Sequence, residues 1–297
     1  MTTALRRRLR ALPVLREFPW RETRDPWRIL VAEFCCQQTQ APRAVVAYER
    51  VCARFESPAA CAAAPLADVL DAWRGLGYYR RAKALHAAAQ RIVDVHAGRV
   101  PDDLDSLLAL PGVGPYTARA VLAFAFERDV GIVDTNVGRV LSRAIANRSL
   151  GRADAQHLAD ALVETGRSWH HNQSLLDLAA AHCTSVPRCS GCALRPSCKW
   201  RRSADPVDPA IGSAGVSRRQ ATFRGSDREA RGRLLAAVLG GPIALCDVAM
   251  VTGWTDDPAR AARIASKLCD EGFLQHRKGV ITVAGTTLGK RRPASTT

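Results

Sequence analysis

Apolar residues recur at spacings of three and four through most of the first 200 positions, as in Val69, Leu70, Trp73 and Leu76. That period belongs to amphipathic helices, and β-branched runs are short. Helix starts are legible. Asp25-Pro26 offers an N-cap followed by proline at the first helical position, so the pattern predicts a helix from Pro26 to about Thr39. Prolines after Ser57, Ala64, Val100 and Leu110 punctuate the segments that follow, and a further helix is expected from Thr135 to Ile145. From Ser203 to Ser226 the helical period is lost in a mixture of Pro, Gly, Ser and Ala, which reads as a linker. The pattern then resumes with helices at Arg228–Leu239, Leu245–Val251 and Asp257–Glu271. A hairpin follows, with strands Phe273–His276 and Val280–Val283 turning at Arg277-Lys278-Gly279. That order resembles a winged helix over 227–285, and a disordered tail is expected over 286–297. No internal repeat is visible.

The chain has 297 residues, enough for two domains and a small third, and its 47% hydrophobic content excludes disorder throughout. Lys and Arg total 43 against 28 Asp and Glu, a net charge of +15. So basic a chain points to a polyanion, with nucleic acid ahead of a membrane surface. No apolar run is long enough to span a bilayer. The N-terminal MTTALRRRLR lacks a signal-peptide core, so the cytoplasm and no membrane are expected. Of ten cysteines, six (Cys35, Cys36, Cys52, Cys61, Cys246, Cys269) lie scattered in apolar or helical stretches and read as small buried hydrophobes. The other four, Cys183, Cys189, Cys192 and Cys198, form C-x5-C-x2-C-x5-C. Four thiolates so spaced suit a tetrahedral zinc or a [4Fe–4S] cluster, and the spacing alone does not choose.

Other residues carry candidate chemistry. In Leu110–Ala118, LPGVGPYTA, Gly112 and Gly114 flank Val113 between two helices. Such a turn exposes backbone N–H groups at a helix start, where a DNA phosphate can sit; an ordinary glycine-rich connection competes with that reading. Val113 is expected to point inward, and Pro115 to open the next helix. Glu33 falls on a mostly apolar helix face beside Ile29, Leu30, Cys36 and Gln37. Water exclusion there raises a carboxyl pKa, which suits a general acid, whereas a marginal Glu paired with an Arg is the plain alternative. Gln37, Gln38, Thr39 and Gln40 supply donors and acceptors for base edges, or simply a polar helix end. Asp134 is either an N-cap or, if opposite Glu33, a stabiliser of positive charge. In Gly75-Leu76-Gly77-Tyr78-Tyr79-Arg80-Arg81, one tyrosine is expected in the core and one free to wedge between bases.

Taken together these motifs, with Pro19-Trp20-Arg21 and Val133-Asp134-Thr135-Asn136-Val137, resemble the helix–hairpin–helix DNA glycosylase superfamily, more narrowly the A/G-specific adenine DNA glycosylases, over roughly residues 5–202. The resemblance implies an all-α, two-lobed helix–hairpin–helix glycosylase fold with an iron–sulfur cluster loop, beside the small C-terminal winged-helix-like α+β domain. One lobe would span about 22–128 and the other about 1–21 with 129–202. It implies a monomer that binds double-stranded DNA and flips out adenine mispaired with 8-oxoguanine or guanine. By resemblance Glu33 protonates adenine at N7 and assists water attack, and Asp134 stabilises the oxocarbenium-like sugar. Tyr116 and Asn136 support that site. Arg21 and Gln173 lie near the flipped adenine, and Gln38 and Tyr78 probe the opposite strand. Trp20, Gln37, Thr39, Gly112, Val113 and Gly114 complete the DNA-facing set, and the four cysteines hold a [4Fe–4S] cluster. Relatives resembling endonuclease III carry a Schiff-base lysine where this chain has Tyr116, so a monofunctional enzyme is expected. Thymine glycosylases of T/G mispairs share that tyrosine but lack the Glu. The chain departs from the family in a first cysteine gap of five residues instead of six. Bacterial members usually carry a Nudix-like C-terminal domain that recognises 8-oxoguanine, whereas the residues after the linker here read as a winged helix. A DNA-binding iron–sulfur regulator and a structural zinc protein are the readings from other classes.

Overall fold

A computed structural model describes residues 3–203, 205–213 and 222–286. Much of the expected linker (204 and 214–221) and nearly all of the expected tail (287–297) lie outside the described residues. In chain order the helices are α1 (Thr3–Arg10), α2 (Pro26–Cys36), α3 (Ala41–Arg54), α4 (Pro58–Ala63), α5 (Leu66–Ala72), α6 (Arg80–His96), α7 (Leu104–Leu108), α8 (Pro115–Phe124), α9 (Thr135–Val140), α10 (Arg152–Asp160), α11 (Ser168–His182), α12 (Lys199–Ser203), α13 (Asp227–Gly240), α14 (Val248–Thr252) and α15 (Pro258–Asp270). The strands are β1 (Ile243–Ala244), β2 (Leu274–Arg277) and β3 (Val280–Val283). None of the described helices is long and apolar enough to cross a membrane. The chain divides into two compact units, residues 1–45 with 99–219 and residues 46–98 with 220–297.

In the first unit, α2 starts where the sequence indicates. Asp25 caps it by accepting the Arg28 N–H at 2.9 Å, and Pro26 takes the first helical position. It stops at Cys36, short of the expected Thr39, because Gln37 leaves helical geometry and Gln38 adopts a left-handed φ of 54°. Gly114 and Pro115 open α8 against α2. The expected Thr135–Ile145 helix is α-helical only to Val140 and widens into a π-helix over Leu141–Ala146. There Ser142 Oγ donates back to Gly138 O at 2.9 Å, competing with the regular ladder. Leu5, Leu9, Val137, Leu141, Ile145, Leu175 and Leu178 join α1, α9, the π-helix and α11 in one core.

In the second unit, Val51, Leu70, Trp73, Leu85 and Ile92 bury the faces of α3, α5 and α6. The C-terminal part packs α13, α14 and α15 with a three-stranded antiparallel sheet of order β1-β3-β2. The hairpin register pairs Leu274 with Val283 and Arg277 with Val280, so the turn contracts to Lys278-Gly279. β1, pairing Ile243 with Ile281, is two residues long, too short for a period-2 signature in the sequence. Segment 245–251 is a 3-10 turn over Leu245–Asp247 leading into α14. Among the scattered cysteines, Cys35, Cys52 and Cys61 are buried and Cys36 and Cys269 partly so, but Cys246 is exposed and is not a core residue.

Candidate active site

Glu33 sits mid-way along α2 among buried Leu30, Val31, Ala32, Phe34 and Cys35, and is itself 7% exposed. Among the described residues no arginine forms an ion pair with it. Its Oε2 is buried with no hydrogen-bond partner, and the Tyr116 hydroxyl from the first turn of α8 donates to the carboxyl. Burial above all, then the negative charge of Asp134, pushes its pKa from 4.5 up to about 8; the Tyr116 hydrogen bond pulls the other way but does not prevail. A lone buried carboxylate is far costlier than its neutral form, so the acid keeps its proton at neutral pH. Burial, with Glu33 and Asp134 nearby, also holds the Tyr116 hydroxyl well above its ordinary range, so it stays a donor.

Asp134 is an N-cap, the first of its two expected readings. It caps α9, its Oδ1 accepting the Val137 N–H at 2.6 Å, while Oδ2 accepts from Asn136 Nδ2 at 3.0 Å. It also lies within electrostatic reach of Glu33. Burial raises its pKa, opposed by the Val137 and Asn136 hydrogen bonds and by the Arg139 charge. The strand-like segment before it is clamped from two helices. Asn172 on α11 accepts the Ile132 N–H (3.0 Å) and donates to Val130 O (2.9 Å), and Asp160 on α10 accepts the Gly131 N–H (2.8 Å). A Cβ at Gly131 would stand 2.4 Å from the Ala159 carbonyl carbon, so only glycine permits this approach. Glu33, Tyr116, Asp134 and Asn136 thus form one cluster: a protonated acid beside a second carboxyl with a different hydrogen-bond set.

The hairpin turn is ordered around buried Val113, which points inward as expected, with Gly112 in the left-handed region at φ 77°. Gln37 uses its amide nitrogen inside the protein. Its Nε2 donates to Gly112 O at 3.1 Å and Thr117 Oγ1 at 3.4 Å, tying the end of α2 to the hairpin. Gln38 is exposed and Thr39 half-buried. Gly114, also half-buried, is the N-cap residue of α8.

Arg21 is held inside the protein. Its guanidinium is buried in a two-pronged pair with Asp177 of α11 (2.9 and 2.8 Å) and donates to Arg16 O at 2.7 Å. Asp177 also accepts the N–H groups of Leu15 and Arg16 and the Arg16 side chain, which anchors the segment before α2. Arg21 therefore acts as an internal tie, and the sequence had no local signal for its partner 156 positions away. Trp20 stacks on Phe18 with ring centroids 4.9 Å apart. Gln173 is buried on α11. In the second unit Tyr79 is buried and Tyr78 is 38% exposed, dividing the two tyrosines as expected.

Cys183, Cys189, Cys192 and Cys198 are free thiols lining one cavity with Val140, Leu178 and Leu194. Arg143, buried and paired with Asp208 at 2.6 Å, donates to Cys183 Sγ at 3.5 Å, and Arg201 Nε donates to Cys189 Sγ at 3.0 Å. Among the described residues, no group of three or more His, Cys, Asp or Glu side chains is arranged to hold a single metal ion.

Residues 31–166 match the HhH-GPD superfamily of base excision DNA repair proteins. The chain is 41% identical over 272 residues to the adenine DNA glycosylase of Mycobacterium tuberculosis, covering 87% of this chain and 86% of that one. It is 37% identical to the adenine DNA glycosylase of Mycolicibacterium smegmatis, covering 91% and 92%. Among solved structures, a thermostable thymine-DNA glycosylase superposes with a TM-score of 0.61 at 27% identity, covering 68% of this chain and 94% of that one.

Proposed function

Because the chain belongs to the HhH-GPD superfamily of base excision DNA repair proteins, among the adenine DNA glycosylases, we propose that it hydrolyses the N-glycosidic bond of adenine mispaired with 8-oxoguanine or guanine in duplex DNA. The observation that carries the reading is the Glu33 carboxyl, buried, unpaired at Oε2 and protonated at neutral pH. With adenine flipped from the stack, Glu33 donates its proton to N7. The electrons of the C1′–N9 bond leave with the purine, and the sugar becomes an oxocarbenium-like cation. The Asp134 carboxylate stabilises that cation. Water adds at C1′ and returns a proton to Glu33. Tyr116 orients the acid, Asn136 holds Asp134, and Gln173 contacts the flipped base. No amine stands at position 116 to form a Schiff base, so the enzyme is monofunctional. The Glu33 acid also favours adenine over the thymine that names the structural relative.

On the same reading the Gly112–Gly114 backbone holds a phosphate, while Trp20, Gln38, Thr39 and Tyr78 meet DNA. The 227–285 segment is a winged-helix-like domain in addition to the two glycosylase lobes, and the monomeric protein works in the cytoplasm. Cys183, Cys189, Cys192 and Cys198 fit a [4Fe–4S] cluster. They are four free thiols round one cavity, two of them already facing arginine donors. Held there by the four thiolates, a cluster would cross-link the basic loop from Cys183 to Cys198, which carries Arg188 and Arg195.

The test is product analysis on A/8-oxoguanine, A/G and T/G duplexes, with and without alkali. Free adenine, with strand breakage only after alkali, is expected. Breakage without alkali, or thymine release in preference to adenine, overturns the reading. Iron and sulfide content with visible absorbance tests the cluster, and a colourless zinc protein overturns that part.

A further inference from the structure

Tyr78 stands at the tip of a loop whose base is firmly held. Trp73 Nε1 donates to Gly77 O at 3.1 Å, and Arg81 Nη2 reaches the same oxygen at 3.2 Å. The tip residue itself lies in the left-handed region, at φ 49°, and is 38% exposed. The phenol is met from the C-terminal part of the same unit: Arg228 Nη1, on the first turn of α13, donates to Tyr78 Oη at 2.9 Å. The Arg228 guanidinium also lies 5.9 Å from the ring of Phe223, which is 58% exposed. That segment is fastened to α6 beside the loop. Glu271 pairs with Arg80 at 2.6 Å and Arg231 at 2.5 Å, Lys83 donates to the Glu271 carbonyl, and the Lys83 ammonium lies 5.3 Å from the Phe273 ring. The C-terminal segment therefore delivers one arginine onto the tyrosine that faces solvent, and presents a second aromatic ring beside it.

We propose that Arg228 is a positioning residue for Tyr78, holding the phenol so that its ring meets the DNA strand opposite the flipped base. The C-terminal segment thereby tunes mispair discrimination through one hydrogen bond. The inference deepens the glycosylase reading and rests on it. A side chain that enters a base stack loses freedom on insertion, and a donor at the far end of the phenol fixes the direction of the ring beforehand.

The test compares equilibrium binding of the full chain to an A/G-mispaired duplex and to a matched duplex of otherwise equal sequence. Both carry the same phosphate charge, so their ratio cancels the sequence-independent term. Arg228→Ala and Tyr78→Phe should each lower the ratio by about fivefold, the loss of roughly one net hydrogen bond. The double variant should be no worse than Tyr78→Phe alone, and Arg228→Lys, which keeps a donor, should restore most of the ratio. Equal weakening on both duplexes, with the salt slope reduced by about one, would make Arg228 a phosphate contact and overturn the proposal. So would a ratio unmoved by Tyr78→Phe, a variant that preserves ring and packing. Adenine release by the unmodified chain reports separately on the reading beneath: its absence overturns the enzymatic function whatever the binding ratios show.

Discussion

The first unit buries two carboxyl groups in opposite ways. Asp177, 1% exposed at its side chain, accepts from Arg21, from Arg16 and from two backbone N–H groups, and these hold its pKa well below the usual carboxylate range. Glu33, nearly as buried, has one phenol and an unpaired oxygen, and its pKa rises to about 8. Burial opposes charge at both sites, so the partners decide the protonation state. Asp177 contributes stability and is chemically inert. Glu33 detracts from stability when ionised and for that reason holds a proton that can be given away. The contrast separates an acid that ties the fold from one that keeps its proton at neutral pH.

The largest effect should come from Glu33→Gln. Removing the acid should lower single-turnover adenine release by about 10²–10⁴-fold, while binding to an A/G duplex persists. Turnover at the parent rate would take Glu33 out of the reaction. The pH dependence sharpens this result. Between about 4.5 and 8 the unfolded chain ionises Glu33 while the folded protein keeps the proton, so the parent loses stability as pH rises. Glu33→Gln should therefore gain on the parent by up to about 1.4 kcal/mol per pH unit in that window, as read by denaturant unfolding. Parent activity should fall as pH climbs through about 8. A difference that shrinks with pH would mean the acid is ionised in the folded state.

Asp177→Asn should act in the opposite sense. It leaves the Arg21 guanidinium buried without its counter-charge, a loss of about 3–5 kcal/mol that lowers the thermal midpoint at neutral pH. Its sign with pH is reversed: the Asp177 contribution is present above the ordinary carboxylate range and lost as pH falls below it, so the penalty should shrink in acid. A penalty independent of pH would assign the effect to shape and not to charge. Tyr116→Phe is a smaller perturbation. It deletes the hydrogen bond that lowers the Glu33 pKa, and the alkaline limb of the activity profile should move up by about one pH unit. The smallest effect is Gln37→Ala, about 1 kcal/mol of stability from its hydrogen bonds to the hairpin, measured by denaturant midpoint.

Much of this molecule is legible along the chain because its cause lies within four residues. Asp25, Ser57, Asp103, Ser226 and Asp257 each cap the helix that follows through a bond to an N–H three positions on. The apolar period around Glu33 foretells its burial, the glycines foretell the hairpin, and the cysteine spacing foretells a four-thiol cavity. The end of α2 is less legible, because Gln37 is drawn away to Gly112, 75 positions on. Only the tertiary structure pairs Arg21 with Asp177, sets Asp134 against Glu33 and lays Arg228 on Tyr78. Helix periods and caps are set by bonds that each segment makes with itself. Partners more than a hundred positions apart meet only when the intervening helices pack, and that packing decides which charges are satisfied and which are left to act.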